Sequence, residues 1–370
     1  MTVVFLPDYT DTNPYQSNLA AEIEKLGEQV MITRERSLLP ILRSVRNQDD
    51  ITVVHVHWFD PYLFSNSLLK TLFKAIGTLL ELLVLRFMNV SIVWTCHNVK
   101  SHETPYPRIE YLFKRVFIGM GLCKHIFVHC EKAKDELLTT YGLDEAAKSR
   151  MTAIPHGHYI DDYENTVERP TAQQEIGVED AENVFLFFGL IRPYKNVVSL
   201  IETFKRVATP DERLVIAGKP SDEAIGQRVR KAVDDDDRIR TRLQFIPSDH
   251  IQVYMNAADA VVLPLENITM SGSTILGMSF GRALIVPRVG CIPEVIGDDG
   301  AVMYDPDDTD GLADALTAAR ERPLDSMGAY NGRLARRKDW SEAAGRIVGQ
   351  YRALTDRTRS PDPSSETNIE

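Results

Sequence analysis

Two short stretches place phosphate-binding chemistry directly after an apolar run. In FFGLIRPYKN, residues 187–196, the apolar residues end at Gly189, and Arg192 and Lys195 follow at once. In AADAVVLPLENITMSGSTILGMSFG a second apolar run gives way to Ser271, Gly272 and Ser273 and then to a helical pattern. A glycine turn with a lysine beyond it, or Ser-Gly-Ser at a helix start, offers backbone N–H groups, a positive helix end and an ammonium to a diphosphate. The plain alternatives are a solvated lysine, an ordinary Arg-Pro turn and a serine cap. Position after a strand and before a helix tips both stretches toward phosphate.

The first half of the chain has a different chemistry. Eight of the nine histidines precede residue 160, and most end a strand pattern or begin a loop. His57 with Trp58, His97 with Asn98, His102 with Glu103, and His156 all stand in such loops, as do Asn13 and Tyr15. Histidine titrates near neutrality, so these loops read as one wall of a substrate site. The competing reading is that strand-end histidines satisfy backbone groups at a crowded interface. A metal reading has His55 and His57 alternating on a strand and His125 and His129 near two cysteines, but no third ligand is evident. The acidic run Asp234–Asp237 and the pair Asp305 and Asp307 read as a solvated helix end and a turn.

These loops need a scaffold. Short β-branched runs alternate with helical patterns, the pattern of parallel sheets with crossover helices. Strands are expected at 2–6, 29–32, 51–56, 90–95, 125–129 and 151–154, then at 184–188, 213–217, 243–246, 260–263, 283–287 and 301–304. At 370 residues the chain exceeds one ordinary core. The expectation is an α/β protein with two doubly wound domains, 1–165 and 166–338, joined by a polar linker at 161–180. A final amphipathic helix covers 339–355, and 356–370 is composed like a disordered tail.

A net charge of −11 argues against a nucleic-acid partner, which needs a basic surface. Four cysteines without metal spacing fit a reducing cytoplasm. The start MTVVFLPDYTD reads as a first strand, not a signal peptide. No stretch reaches the roughly 18 uninterrupted apolar residues of a membrane span. The segment 62–134 nevertheless carries ten Lys or Arg against four Glu. Within it, PRIEYLFKRVFIGMGLCKHIF is suited either to an anionic membrane surface or to a core helix with a solvated basic face.

Taken in order, VVHVHW, IVWTCHNV, HIFVHCEKAKDEL, AIPHGHY, FFGLIRPYKNVVSLIETF, LVIAGKP, FIPSDHIQVYMNAADAVVLPL, SGSTILGMSFGRALIVPRVGCIPEVI and the Trp340 helix resemble the large retaining family 4 of GT-B glycosyltransferases. The likeness runs over almost the whole chain. It implies two Rossmann-like domains facing across a cleft, the donor held by the second and the acceptor by the first, with the last helix crossing back to the first. It implies a nucleoside-diphosphate sugar as co-substrate, no metal, and a glycan or lipid-linked acceptor. Lys195 matches the family's diphosphate lysine, while the companion arginine's position holds Leu190 and Arg192 stands two residues later. Ser271 to Ser273 match the loop and helix start at the diphosphate, with Gly189 and Gly218 in the neighbouring turns. The family's paired glutamates fall on Thr269 and Gly277, which leaves Glu294 an ancillary donor-side role. His97 matches the histidine that approaches the transferred sugar, and Glu103 on its loop is placed to orient it or to meet the acceptor. His156 matches the turn at the domain junction.

The chemistry so implied is sugar transfer to a hydroxyl, with retention and with cations stabilising the leaving diphosphate. An isomerase of the nucleotide-sugar 2-epimerase kind and a non-catalytic nucleotide-sugar-binding subunit are the alternatives. The expected location is the cytoplasm, with peripheral contact at the inner face of the cell membrane.

Overall fold

The computed structural model describes residues 1–35, 37–46, 50–101 and 103–359, with side chains through 356. It divides into two compact units, Met1–Pro155 together with the chain from Trp340 onward, and His156–Asp339. Each unit holds one six-stranded sheet, and every strand pair is parallel.

The first sheet contains β1 (Thr2–Leu6), β2 (Gln29–Ile32), β3 (Ile51–Val56), β4 (Ser91–Thr95), β5 (His125–Val128) and β6 (Met151–Ala153), in the order β2-β1-β3-β4-β5-β6. The second contains β7 (Asn183–Phe188), β8 (Glu212–Ala217), β9 (Ile239–Arg242), β10 (Ala260–Val262), β11 (Ala283–Pro287) and β12 (Ala301–Tyr304), in the order β12-β11-β10-β7-β8-β9. Strands covered on both faces read as unbroken apolar runs, and β7, β8, β10 and β11 are almost wholly buried. In both sheets the chain winds outward in two directions from a pair of adjacent strands, β1 and β3 in one, β7 and β10 in the other. Loops at such a switch point part and leave a crevice beyond the strand ends.

Three expectations need correction. The strand expected at 243–246 lies four residues earlier, at Ile239–Arg242. It is a polar edge strand with only Ile239 buried, and the apolar Phe245 that suggested the later position is 64% exposed. The supposed linker at 161–180 is built into the second unit: the helix Arg169–Ile176 buries Ala172 against Val253 and Ala257, and Gln252 Oε1 accepts from the backbone N–H of Thr166 at 2.8 Å and of Val167 at 3.1 Å. The unit boundary accordingly falls after Pro155, ten residues before the expected one. Of the two readings left open for the helix Pro107–Gly119, the structure fits the core helix with a solvated basic face. Its Lys114 is buried, paired with Glu110 at 2.7 Å and donating to Val99 O at 2.9 Å.

The last helix, Trp340–Arg359, runs four residues further than expected and belongs to the first unit. Most of the expected tail, from 360, lies outside the described residues. Ala343, Ala344, Ile347, Val348 and Tyr351 recur at helical spacing and are buried. The Tyr351 hydroxyl stands 2.5 Å from His55 Nδ1, and His55 Nε2 stands 2.7 Å from Thr95 Oγ1. This chain of bonds ties the helix to β3 and β4. Tyr351→Phe should strip His55 of one partner and lower the unfolding free energy by about 1–3 kcal/mol. Urea denaturation would read this, and an unchanged midpoint would count against a structural role for the bond.

Candidate functional site

In the second unit the two phosphate-friendly stretches follow β7 and β10, the adjacent strands of the switch point. After Phe188 the chain turns at Gly189 with φ of 115°, a conformation only glycine adopts without strain. The turn after β8 packs directly on it, since a Cβ at Gly218 would lie 1.9 Å from Gly189 O. Ile191 N donates to Lys219 O at 2.9 Å and Ser221 N donates to Ile191 O at 2.9 Å, which carries the parallel pairing past the strand ends. The short turn Pro193–Lys195 then brings Lys195 back, and its side chain is only 8% exposed. Lys195 Nζ lies 5.8 Å from the centre of the Phe187 ring.

From β10 the chain reaches Ser271, whose Oγ accepts from Thr274 N at 3.2 Å and caps the helix Gly272–Ser279. First-turn amides of a helix have no acceptor within it, so Gly272 and Ser273 present theirs outward. A Cβ placed on Gly189 would meet Ser273 Oγ at 3.2 Å and Lys195 Nζ at 3.3 Å. An ammonium, a hydroxyl and a helix N-terminus therefore converge above one bare glycine. That constellation suits the two negative phosphates of a diphosphate.

The other donor-side residues divide. Arg192 is half-buried, and its carbonyl accepts from Lys195 N at 3.0 Å; Leu190, in the expected arginine position, is exposed. Thr269 is buried, and its carbonyl accepts from Cys291 N at 2.8 Å, fixing the loop before the helix. Glu294 is exposed in the short helix Ile292–Ile296. Gly277 faces the sheet: a Cβ there would lie 2.9 Å from Leu284 Cδ2 and 3.5 Å from Val261 Cγ2, so a side chain would start toward the sheet and would have to displace Leu284. Glu266, which the sequence did not single out, is exposed in the loop after β10, bonded through Oε1 to Asn196 Nδ2 and through its N–H to Tyr194 O at 2.9 Å. Tyr159 was also missed, and its hydroxyl lies 3.8 Å from the Cβ position of Gly272. The only sequence signal for Glu266 is a carboxylate directly after an apolar strand, which its neighbour Asn267 makes look like a turn.

The first unit gathers its histidines at the matching strand ends. His97 follows β4, with His57 Nδ1 3.3 Å from its Nε2 and His129 Nε2 3.2 Å from its Nδ1. Trp58 stacks on the His97 ring at 4.3 Å with 10° between planes, and Tyr15 meets it edge-on at 4.7 Å. Two imidazoles thus orient the His97 ring, and Glu103 is exposed on the loop that follows. Asn13 Oδ1 accepts from Tyr15 N at 3.0 Å and fixes the start of the helix Tyr15–Lys25. Asn98 Oδ1 and His57 Nε2 are buried without a hydrogen-bond partner among the described residues. His102 lies outside the described residues. His156 falls in the second unit and not the first, buried with Nδ1 2.9 Å from Gly157 O. Among the described residues no group of three His, Cys, Asp or Glu is placed to hold a metal ion.

Burial lowers the pKa of His55 and His57 well below the usual range and brings His125 and His156 to about 4. These rings are neutral in the folded chain at neutral pH.

Residues 182–321 match the family model of glycosyl transferases group 1. Over 88% of this chain and 87% of the relative, the sequence is 25% identical to the GDP-mannose:glycolipid 4-beta-D-mannosyltransferase of Xanthomonas campestris pv. campestris. It is 24% identical to the O-antigen chain mannosyltransferase RfbU of Salmonella typhimurium over 65% of this chain and 64% of that one. Among solved structures, sucrose-phosphate synthase from Thermosynechococcus elongatus superposes with a TM-score of 0.75 at 15% identity, covering 96% of this chain and 99% of that one. Anabaena Alr3699/HepE in complex with UDP-glucose superposes at 0.72 and 13% identity, over 95% and 100%. The fold is that of the GT-B glycosyltransferases. The chain is itself a glycosyltransferase, with the group 1 domain in its second unit.

Two outcomes follow. Gly189→Ala forces a side chain into a positive-φ turn and against Ser273 and Lys195, so it should cost about 1–3 kcal/mol of stability and abolish the melting-temperature rise caused by a nucleoside diphosphate. Thermal melts with and without the nucleotide would show both. The buried histidines have folded pKa values below that of free histidine, 6.5. Their stabilising effect is complete above 6.5 and is lost as pH falls toward about 4, because the unfolded chain takes up protons that the folded chain refuses. Urea midpoints should therefore drop between about pH 7 and pH 5, and a flat profile would contradict neutral burial.

Proposed function

We propose that the chain transfers a mannosyl residue from GDP-mannose to a hydroxyl of a glycolipid or lipid-linked glycan, at the cytoplasmic face of a membrane. The observation that carries this reading is the convergence of Lys195 Nζ and Ser273 Oγ on Gly189 beside the helix N-terminus. The choice of mannose, guanine and a glycolipid rests on the two mannosyltransferase relatives, one of which is named for each of these.

In the transfer, the acceptor oxygen forms a bond to the anomeric carbon as the bond from that carbon to the β-phosphate oxygen breaks. The electron pair leaves with the diphosphate. Lys195, the Ser273 hydroxyl and the amides of Gly272 and Ser273 stabilise the growing charge there without calling on a metal. Arg192 and Glu266 border this group, and Thr269 and Gly218 hold its backbone. On the acceptor side, Asn13, Tyr15, Trp58, His57 and Asn98 frame the loop of His97, and Asn98 Oδ1 offers an acceptor to a sugar hydroxyl.

The primary reading is retention, in which the acceptor proton passes to the departing diphosphate and no protein base is needed. Inversion is favoured by one specific observation, the β-linkage in the name of the relative that matches 88% of this chain. It would require a base, and the His57–His97–His129 group supplies imidazoles for that role, with His57 kept neutral by burial. Proton NMR of the product separates them, an α-mannoside supporting retention and a β-mannoside inversion. Lys195→Ala should lower kcat/KM by about 10²- to 10³-fold while leaving the fold intact. Undiminished transfer by that variant would defeat the reading. Conversion of the sugar nucleotide to an isomer in the absence of acceptor would instead favour the epimerase alternative. Donor binding without turnover on any lipid-linked acceptor would favour the binding-subunit alternative.

A further inference from the structure

The helix Leu68–Phe87 is apolar on two sides. Its inner face buries Ala75, Leu82 and Leu85 together with the polar Thr71, Thr78 and Glu81, while Leu69, Phe73, Ile76, Leu80, Leu83 and Phe87 form an exposed stripe. Their spacing of three or four residues keeps them on one side for the full length of the helix. Phe73 is 70% exposed and Phe87 78%. A stripe of this size on a protein surface marks an interaction site.

The orientation is fixed by the polar groups inside. Thr71 Oγ1 donates to Ser65 O and accepts from Ser65 N, both at 3.1 Å, and Thr78 Oγ1 donates to Tyr62 O at 3.0 Å. Glu81 Oε2 accepts from the N–H groups of Ile41 at 2.8 Å and Leu42 at 2.9 Å, at the start of the helix Pro40–Arg46. Rolling the helix to hide the stripe would break these bonds. The stripe stays out.

Charge identifies the occupant. The segment 62–134 has ten basic and four acidic residues in a chain of net −11. Two of those acids, Glu81 and Glu110, are buried, whereas Lys70 and Arg86 on this helix and Arg108 and Arg115 on the adjacent helix are exposed. No described helix is long and apolar enough to cross a membrane. We propose that this face lies in the interface of an anionic lipid bilayer, the stripe sunk to the level of the acyl chains and the basic residues on the headgroups. The sequence leaves the Pro107–Gly119 helix open to this purpose or to a place in the core. Its Lys114 is a core residue, and the helix Leu68–Phe87 is the element that docks. The inference deepens the proposed function by naming the surface on which a lipid-linked acceptor would be met, and docking is measured apart from transfer.

The test is co-sedimentation of the full chain with phosphatidylglycerol–phosphatidylethanolamine vesicles and with phosphatidylcholine vesicles. The unaltered chain should pellet with the anionic vesicles, and less so as salt is raised. Joint replacement Phe73→Ser, Leu80→Ser and Phe87→Ser should weaken binding at least about tenfold, with the melting temperature and its rise on adding GDP-mannose unchanged. Lys70→Glu with Arg86→Glu should remove the preference for anionic lipid. Equal binding by the triple-serine variant would overturn the proposal. So would a stable dimer in light scattering that the same variant dissociates, since the stripe would then be a contact between copies. Vesicle binding without any GDP-mannose shift would defeat the donor reading and leave this one standing.

Discussion

The second unit depends on the close approach of two backbone turns, Gly189 on Gly218, at the ends of β7 and β8. A Cβ at Gly218 would strike Gly189 O, and one at Gly189, in a positive-φ turn, would crowd the serine and lysine that converge above it. Removing two side chains is what lets an ammonium, a hydroxyl and a helix N-terminus reach the same small volume. A diphosphate carries charge on two neighbouring groups, and preorganised donors in a dry setting stabilise its departure without reorganising. The buried position of Lys195 over Phe187 holds its ammonium at the site and keeps it from ranging in solvent.

The first unit solves a different problem by related means. Its switch-point loops bring together aromatic and imidazole rings, so that His97 is held by Trp58 on one face, by the Tyr15 edge, and by a histidine at each nitrogen. Such a ring is held in place, and which nitrogen carries the proton is set jointly with its neighbours. The last helix supports the cluster from behind. Its Tyr351 hydroxyl closes the chain of bonds through His55 to Thr95, and the His55 ring stacks on His57 at 4.3 Å.

Much of this was legible in the residues. Apolar runs located eleven of the twelve strands because parallel strands covered on both faces leave an unbroken hydrophobic signal. The exception, Ile239–Arg242, sits at a sheet edge, where backbone pairing alone makes a strand and the side chains say little. Lys195 and Ser273 are each visible from their place after a strand, but that they meet over Gly189 is a fact of strand order. Gly277 reads from spacing as a vacated ligand position because the direction a helix residue faces cannot be told from spacing alone; a side chain there would meet Leu284. The exposed stripe of the helix Leu68–Phe87 is hidden by the same ambiguity, since it looks like a core face until Thr71, Ala75, Thr78, Glu81, Leu82 and Leu85 are seen to occupy the inner side.

The central claim is that the second unit grips a diphosphate and not merely a nucleoside. Thermal melts of the full chain with GDP, GMP and guanosine at equal excess test it most directly, because a ligand bound only by the folded state raises its melting temperature further the tighter it binds. The account predicts a rise of several degrees with GDP, most of it lost with GMP and all of it with guanosine. Equal shifts with GDP and GMP would contradict it, for they would mean that the second phosphate finds no partner at Lys195 and Ser273.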